Sequence, residues 1–164
     1  MNDIDLNILS GAIFSEDRIY RYALWRIWNK DKPKYMQIGL NPSTANEFKN
    51  DPTITRGIVR ADRLGYGGFF MANLYAYKST DPKALLKEEN TIGEFNDYYI
   101  RKMIELSDIQ VCAWGSFKPV FKRAPIVLSM IKTPYCLGIN SDGNPIHPLY
   151  TSYDKPIIKY ERAQ

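Results

Sequence analysis

Tyr35-Met36-Gln37-Ile38-Gly39-Leu40-Asn41-Pro42-Ser43-Thr44-Ala45 is the stretch on which the fold turns. Its first six residues are apolar but for Gln37 and Gly39, and Lys30-Asp31-Lys32-Pro33 interrupts the pattern before them. Such a run reads as a buried strand, of the kind that lies in a parallel sheet covered by helices. The strand runs straight into Asn41, Ser43 and Thr44, so polar groups are delivered to its carboxyl end. In an open α/β sheet that edge is where ligands are held.

Working outward, Asp51-Pro52 is a strong helix start, with Asp as the cap, Pro at the first helical position, and Ile54, Ile58 and Ala61 on one face. Gly65-Tyr66-Gly67-Gly68 ends that helix, and 68–74 is the next strand, closing on Asn73-Leu74. The cap pattern recurs at Asp81-Pro82, and Phe95, Tyr99, Met103 and Leu106 mark a helix over about 94–106. A third buried strand, 109–114, ends at Trp114-Gly115-Ser116. The stretch 117–131 reads as helix, kinked or split by Pro125, and 135–137 as a short strand. Before all of this, 17–28 alternates Tyr20, Tyr22 and Leu24 against Arg21, Ala23 and Trp25, which with 11–15 suggests an antiparallel hairpin. The expected fold is three-layer α/β/α with a central, mostly parallel sheet and an N-terminal antiparallel hairpin.

The 164 residues suit a single α/β domain spanning 1–164, with 45% hydrophobic and 24% charged residues. No apolar run is long enough to cross a membrane. Met1-Asn2-Asp3-Ile4-Asp5 has the wrong charge for a secretory leader, so a cytoplasmic location is expected. Cys112 and Cys136 have no further Cys or His at ligand spacing; they read as buried reduced thiols, and neither a metal nor a cofactor is expected. The net charge of +4 is spread from Arg18 to Arg162, which permits phosphate binding without demanding it.

Four chain segments then present polar groups: Asn41 with Ser43 and Thr44; Asn73; Ser116 after Trp114-Gly115; and His147 in Asn144-Pro145-Ile146-His147-Pro148-Leu149-Tyr150. An amide offers donor and acceptor to a base edge, a neutral imidazole can donate to an oxygen gaining charge, and hydroxyls or loop amides suit phosphate. Arg18, Arg21 and Arg26 can meet phosphates if they share the cleft's face. Each residue also has a plain structural reading: Asn41 as a turn tether, Asn73 as a fastener, His147 as a surface residue, Asp51 and Asp81 as caps. Their joint placement favours a pocket for a nucleotide or nucleobase.

The ordered motifs Tyr20-Arg21-Tyr22-Ala23-Leu24-Trp25-Arg26, Leu40-Asn41-Pro42-Ser43-Thr44-Ala45, Asp51-Pro52-Thr53, Asn73-Leu74-Tyr75-Ala76, Thr80-Asp81-Pro82, Ala113-Trp114-Gly115 and His147-Pro148-Leu149-Tyr150 resemble the bacterial and phage family catalogued as domain of unknown function 1643. That resemblance covers roughly residues 11–160 and implies no particular activity. A fainter one is to the uracil-DNA glycosylase superfamily, carried by Gly39-Leu40-Asn41-Pro42, Asn73, Trp114-Gly115 and His147-Pro148 in that order. It implies catalytic roles for Asn41, positioning the attacking water, and His147, steadying the departing base. Asn73 would read the base edge and Phe48 would stack on it, with Ser43, Thr44, Trp114, Gly115, Ser116 and Tyr150 also binding substrate. Two departures matter. His-Pro-Leu-Tyr replaces the Ser-Pro-Leu-Ser run that those enzymes use on duplex DNA, and Asn41 cannot accept a proton as Asp would. The expectation is an N-glycosidic hydrolase acting on a nucleotide or on single-stranded or modified DNA. Its rivals are a non-catalytic binder or sponge of a nucleotide-derived signal, and a plain interaction module.

Overall fold

The computed structural model describes residues 2–161. Seven strands form one mixed sheet among these residues: β1 (Ser10–Phe14), β2 (Arg21–Ile27), β3 (Lys34–Gly39), β4 (Gly68–Asn73), β5 (Ile109–Cys112), β6 (Pro134–Cys136) and β7 (Ile158–Lys159). They lie in the order β1-β2-β4-β3-β5-β6-β7. The four central strands β4-β3-β5-β6 are parallel. The β1–β2 hairpin and β7 add to the two sides antiparallel. Three α-helices, α1 (Pro52–Arg63), α2 (Asn96–Leu106) and α3 (Val120–Leu128), provide the crossovers that parallel neighbours need.

The crossovers diverge from β3. The β3–α1–β4 unit steps one way along the sheet, whereas β4–α2–β5 and β5–α3–β6 step the other. With right-handed connections this puts α1 on one face and α2 and α3 on the other. The packing agrees. Ile54 and Ala61 of α1 share a core with Leu24, Tyr35, Phe69, Met71 and Val111. Tyr99, Ile100 and Met103 of α2 and Val120, Ala124 and Val127 of α3 share one with Met36, Ile38, Phe70 and Ala72. β3 therefore sits at a topological switch point, where loops leaving adjacent strand ends part to opposite faces and open a crevice.

Local chemistry sets the ends of α1. Asp51 Oδ1 accepts the Ile54 N–H at 2.9 Å, Pro52 takes the first turn, and Gly65 follows the helix with φ +88°. Arg56 and Arg60 then hold the C-terminal segment against the helix. Arg56 donates to the Pro148 and Thr151 carbonyls, and Arg60 to those of Thr151, Ser152 and Tyr153. Arg60 is buried, so Arg60→Met is expected to cost about 2–3 kcal/mol in urea denaturation, because hydrogen bonds to a charged donor are lost and carbonyls are left unmatched. Close packing of α1 on the sheet depends on Gly57. A Cβ there would lie 2.4 Å from the Phe69 ring, so Gly57→Ala is expected to destabilise by about 1–3 kcal/mol despite its better helix propensity.

Three expectations are corrected. Regular alternation along β2 would place Arg21 with Ala23 and Trp25. The register instead slips opposite Phe14, which pairs with Arg21 while Ile13 pairs with Ala23. Tyr22 and Ala23 consequently join the same core, and Arg21 turns to the α1 face. The second correction concerns α3, which is shorter than 117–131 and continuous through Pro125. Burial of Val120, Arg123, Ala124 and Val127 holds the helix although the proline withholds one backbone bond. Finally, β5 stops at Cys112, two residues before Trp114. Cys112 and Cys136 are free, buried and opposite one another in register, and burial pushes the Cys112 thiol well above its ordinary value.

Candidate functional site

A cavity of about 210 Å³ occupies the crevice at the carboxyl ends of the parallel strands. Gly39, Leu40 and Asn41 from the end of β3 line it, together with Met71 and Asn73 from β4 and Trp114 beyond β5. Asp51, Thr53 and Ile54 come from the first turn of α1, Arg21 from the start of β2, Ser43, Ser79 and Thr80 from two loops, and His147 from the C-terminal segment. Asn41 and His147, 106 positions apart in the sequence, thus share one hollow. Its volume is below the roughly 300–1,000 Å³ of pockets for drug-sized ligands, which suits a single ring system.

Arg21, Asn73 and Trp114 line this cavity, and each carries a buried polar atom, Nε, Oδ1 and Nε1 respectively, with no hydrogen-bond partner among the described residues. The residues are only 2%, 2% and 1% exposed. Five further buried atoms, on Tyr35, Gln37, Arg60, Asn96 and Asn144, also have no partner among the described residues. Only the first three belong to residues gathered around one hollow, where two donors and an acceptor are available to a ligand.

Asn73 and Arg21 are held by their neighbours. The backbone carbonyls of Asn73 and Leu74 accept from Asn96 Nδ2 at 3.1 and 3.0 Å, and Leu74 O also accepts from Arg123 Nε at 2.8 Å. Arg123 is fixed in turn by an ion pair with Asp97. The end of β4 is therefore fastened from the α2 and α3 side through its main chain, and the Asn73 side chain is left unengaged on the α1 side. Gly39 keeps the space open: a Cβ there would fall 2.6 Å from Met71 Cε and 2.9 Å from Asn73 Oδ1.

Asn41 is both tether and lining. Its Nδ2 donates to the carbonyls of Pro42 (3.2 Å), Tyr77 (3.4 Å) and Ser79 (3.0 Å), which fixes the amide orientation because all three partners accept. Its Oδ1 is what remains for a ligand or water. Arg21 donates from Nη1 to Ala45 O at 3.0 Å, and burial brings its pKa down to about 10, opposed by the charge of Asp51. It stays cationic at neutral pH.

His147 is exposed at the cavity rim, and its Nδ1 accepts the Leu149 N–H at 3.2 Å. The neutral ring must then carry its proton on Nε2. Lost hydration, opposed by Asp51, holds its pKa below the ordinary histidine value.

A sequence profile described as "Protein of unknown function (DUF1643)" matches residues 21–149. The chain belongs to the DUF1643 family. In this DUF1643 member the matched region encloses every residue that lines the cavity, from Arg21 to His147. Neither the curated proteins nor the solved structures include a significant match.

Of the residues singled out in the sequence, Asn41, Ser43, Asn73, Trp114 and His147 meet in the cavity. Thr44 lines the adjoining groove instead. Gly115, at φ +72°, lies beside the cavity, with a Cβ position 3.4 Å from His147 Cβ. Ser116 lies outside the lining and accepts from Asn140 Nδ2 at 2.9 Å. Phe48 and Tyr150 are each 94% exposed and do not line the cavity, whose large ring is Trp114. Asp51 and Arg21 bring its charge; the first was legible as a helix cap, the second only conditionally. Among the described residues no group of three or more His, Cys, Asp or Glu gathers at metal-binding distance, and no helix is long and apolar enough to cross a membrane.

Proposed function

We propose that the cavity binds the base of a nucleoside or nucleotide and hydrolyses its N-glycosidic bond. The observation that carries this reading is the trio of buried, unpartnered atoms on Arg21, Asn73 and Trp114 around a hollow of one-ring size. A nucleobase edge presents the complementary acceptors and donor within one plane. In the proposed reaction the C1′–N bond breaks, water oxygen bonds to C1′, and the water's proton ends on the departing base. Asn41 Oδ1 and the Asp51 carboxylate hold the water and offset positive charge on the sugar. Arg21 and the His147 Nε2–H stabilise negative charge on the leaving base. The order of Gly39-Leu40-Asn41-Pro42, Asn73, Trp114-Gly115 and His147-Pro148 supports a uracil-DNA-glycosylase-like arrangement.

The test is release of free base from nucleosides, nucleotides and single-stranded or modified DNA. Asp51→Asn keeps a competent helix cap, and His147→Gln keeps a polar side chain. Each is expected to lower turnover by about 10²–10³-fold, His147→Gln with little change in melting temperature and Asp51→Asn with some loss, because the buried Arg21 cation loses its opposing charge. Absence of turnover by the wild-type protein on every substrate removes the enzymatic reading. A second reading, capture of an intact nucleotide, is favoured by the engagement of Asn41 Nδ2 and Asp51 Oδ1 in structural hydrogen bonds. It predicts that denaturing the loaded protein returns the nucleotide uncleaved.

The pH dependence follows from His147. Its folded pKa is depressed, so the neutral ring persists below pH 6.5. As pH falls through the folded value Nε2–H remains, but Nδ1 is protonated and can no longer accept the Leu149 N–H that orients the ring. The unfolded chain takes up its proton first, so this group's contribution to stability is intact above 6.5 and declines with acidification. Turnover is expected to follow the same acid limb, and the imidazole's NMR titration gives the midpoint.

A further inference from the structure

We infer that the ligand carries a phosphate on its sugar, held in a second subsite beside the base cavity, so that the true ligand is a nucleoside monophosphate. The inference rests on the base-binding reading above and adds a partner chemistry to it. A groove of about 500 Å³ adjoins the cavity and shares Ser43, Ser79 and Thr80 with it. Its remaining wall includes Thr44, Arg18 and Lys78. The amides of Ser43, Thr44 and Ala45 donate to no acceptor among the described residues, and neither do the hydroxyls of Ser43, Thr44 and Thr80. Unengaged loop amides with hydroxyls and a lysine are the components of a phosphate cradle.

The charges point the same way. Lost hydration lowers the Lys78 pKa, and the like charges of Arg18 and Arg21 add to that; Glu47 opposes them. Arg18 is already forked onto Glu47 at 2.9 and 3.0 Å. Lys78 has no carboxylate partner among the described residues: its Nζ donates to Arg18 O at 3.1 Å and keeps further N–H donors for an incoming anion at the groove, and Arg21, buried with Nε unpartnered, is the cation at the cavity. A monophosphate fits better than a strand, since Arg56 and Arg60 of α1 are spent on carbonyls of the C-terminal segment and continue no track.

The experiment titrates the full chain by calorimetry with a panel of nucleobases, nucleosides, their 5′-monophosphates, a short single-stranded oligonucleotide, ribose 5-phosphate and inorganic phosphate. For the preferred base, the monophosphate is expected to bind at least about tenfold more tightly than the nucleoside, as one charge-assisted contact supplies. Lys78→Ala closes that gap, and Glu47→Gln widens it by removing the competing anion. Equal binding of nucleoside and monophosphate overturns the phosphate subsite and leaves the base cavity standing. Ribose 5-phosphate binding as well as the nucleotide overturns the base reading instead. An oligonucleotide that outbinds the monophosphate overturns the choice of a free nucleotide.

Discussion

Asn73→Ala is expected to weaken ligand binding about a hundredfold while leaving the empty protein at least as stable as before. The two effects separate because the Asn73 side chain has no hydrogen-bond partner among the described residues, and its Oδ1 is buried. Its main-chain carbonyl, which Asn96 holds, is untouched by the substitution. Removing an orphaned buried acceptor costs the apoprotein little and can stabilise it, whereas the bound state loses a desolvated hydrogen bond worth about 2–3 kcal/mol. Urea denaturation of the empty protein and calorimetry with the tightest nucleoside give the two numbers. A large loss of stability with unchanged affinity would make Asn73 a fastener of the β4 end. Gly39→Ala is the companion: its Cβ would crowd Asn73 Oδ1 and Met71, so it should lower both stability and affinity.

Arg21→Met is expected to stabilise the empty protein by about 1–3 kcal/mol and to abolish measurable binding of the monophosphate. Burial lowers the Arg21 pKa from 12.5 to about 10, so at neutral pH the fold carries a cation it would hold more cheaply as a neutral group. A shift of that size, which already includes the attraction to Asp51, corresponds to about 3 kcal/mol, reduced by the lost bond to Ala45 O. Methionine fills much of the same volume without the charge. Stability given up for a charged group in a cavity is the signature of a functional residue. Destabilisation by Arg21→Met, with binding retained, would assign the guanidinium to the scaffold.

Much of the fold was legible because its elements carry their own punctuation. Asp51-Pro52 and Asp81-Pro82 cap helical turns as their chemistry dictates, and the buried runs around Ile38, Phe70 and Val111 became parallel neighbours. The short β7 was not legible, since Ile158 and Lys159 are exposed and carry no periodic pattern. The site was half legible. Residues at carboxyl ends of parallel strands could be placed by rule, which found Asn41, Asn73 and Trp114. Arg21 enters from an antiparallel strand, whose beginning lies at that edge, and a register slip decides its face. Local periodicity cannot report such a slip. Phe48 and Tyr150 illustrate the reverse: an aromatic ring near a polar loop reads as a stacking group, but loop geometry determines whether it turns inward.

The most direct test is the indole N–H region of a ¹H–¹⁵N spectrum during titration with the nucleoside and nucleotide panel. Trp25 and Trp28 already donate to the Ile8 and Tyr66 carbonyls at 2.8 and 3.1 Å and serve as internal references, whereas Trp114 Nε1 has no partner among the described residues. Binding as described moves the Trp114 resonance downfield, saturably, and leaves the other two in place. A Trp114 signal that stays fixed through millimolar concentrations of every base, nucleoside and nucleotide would contradict a base-binding cavity.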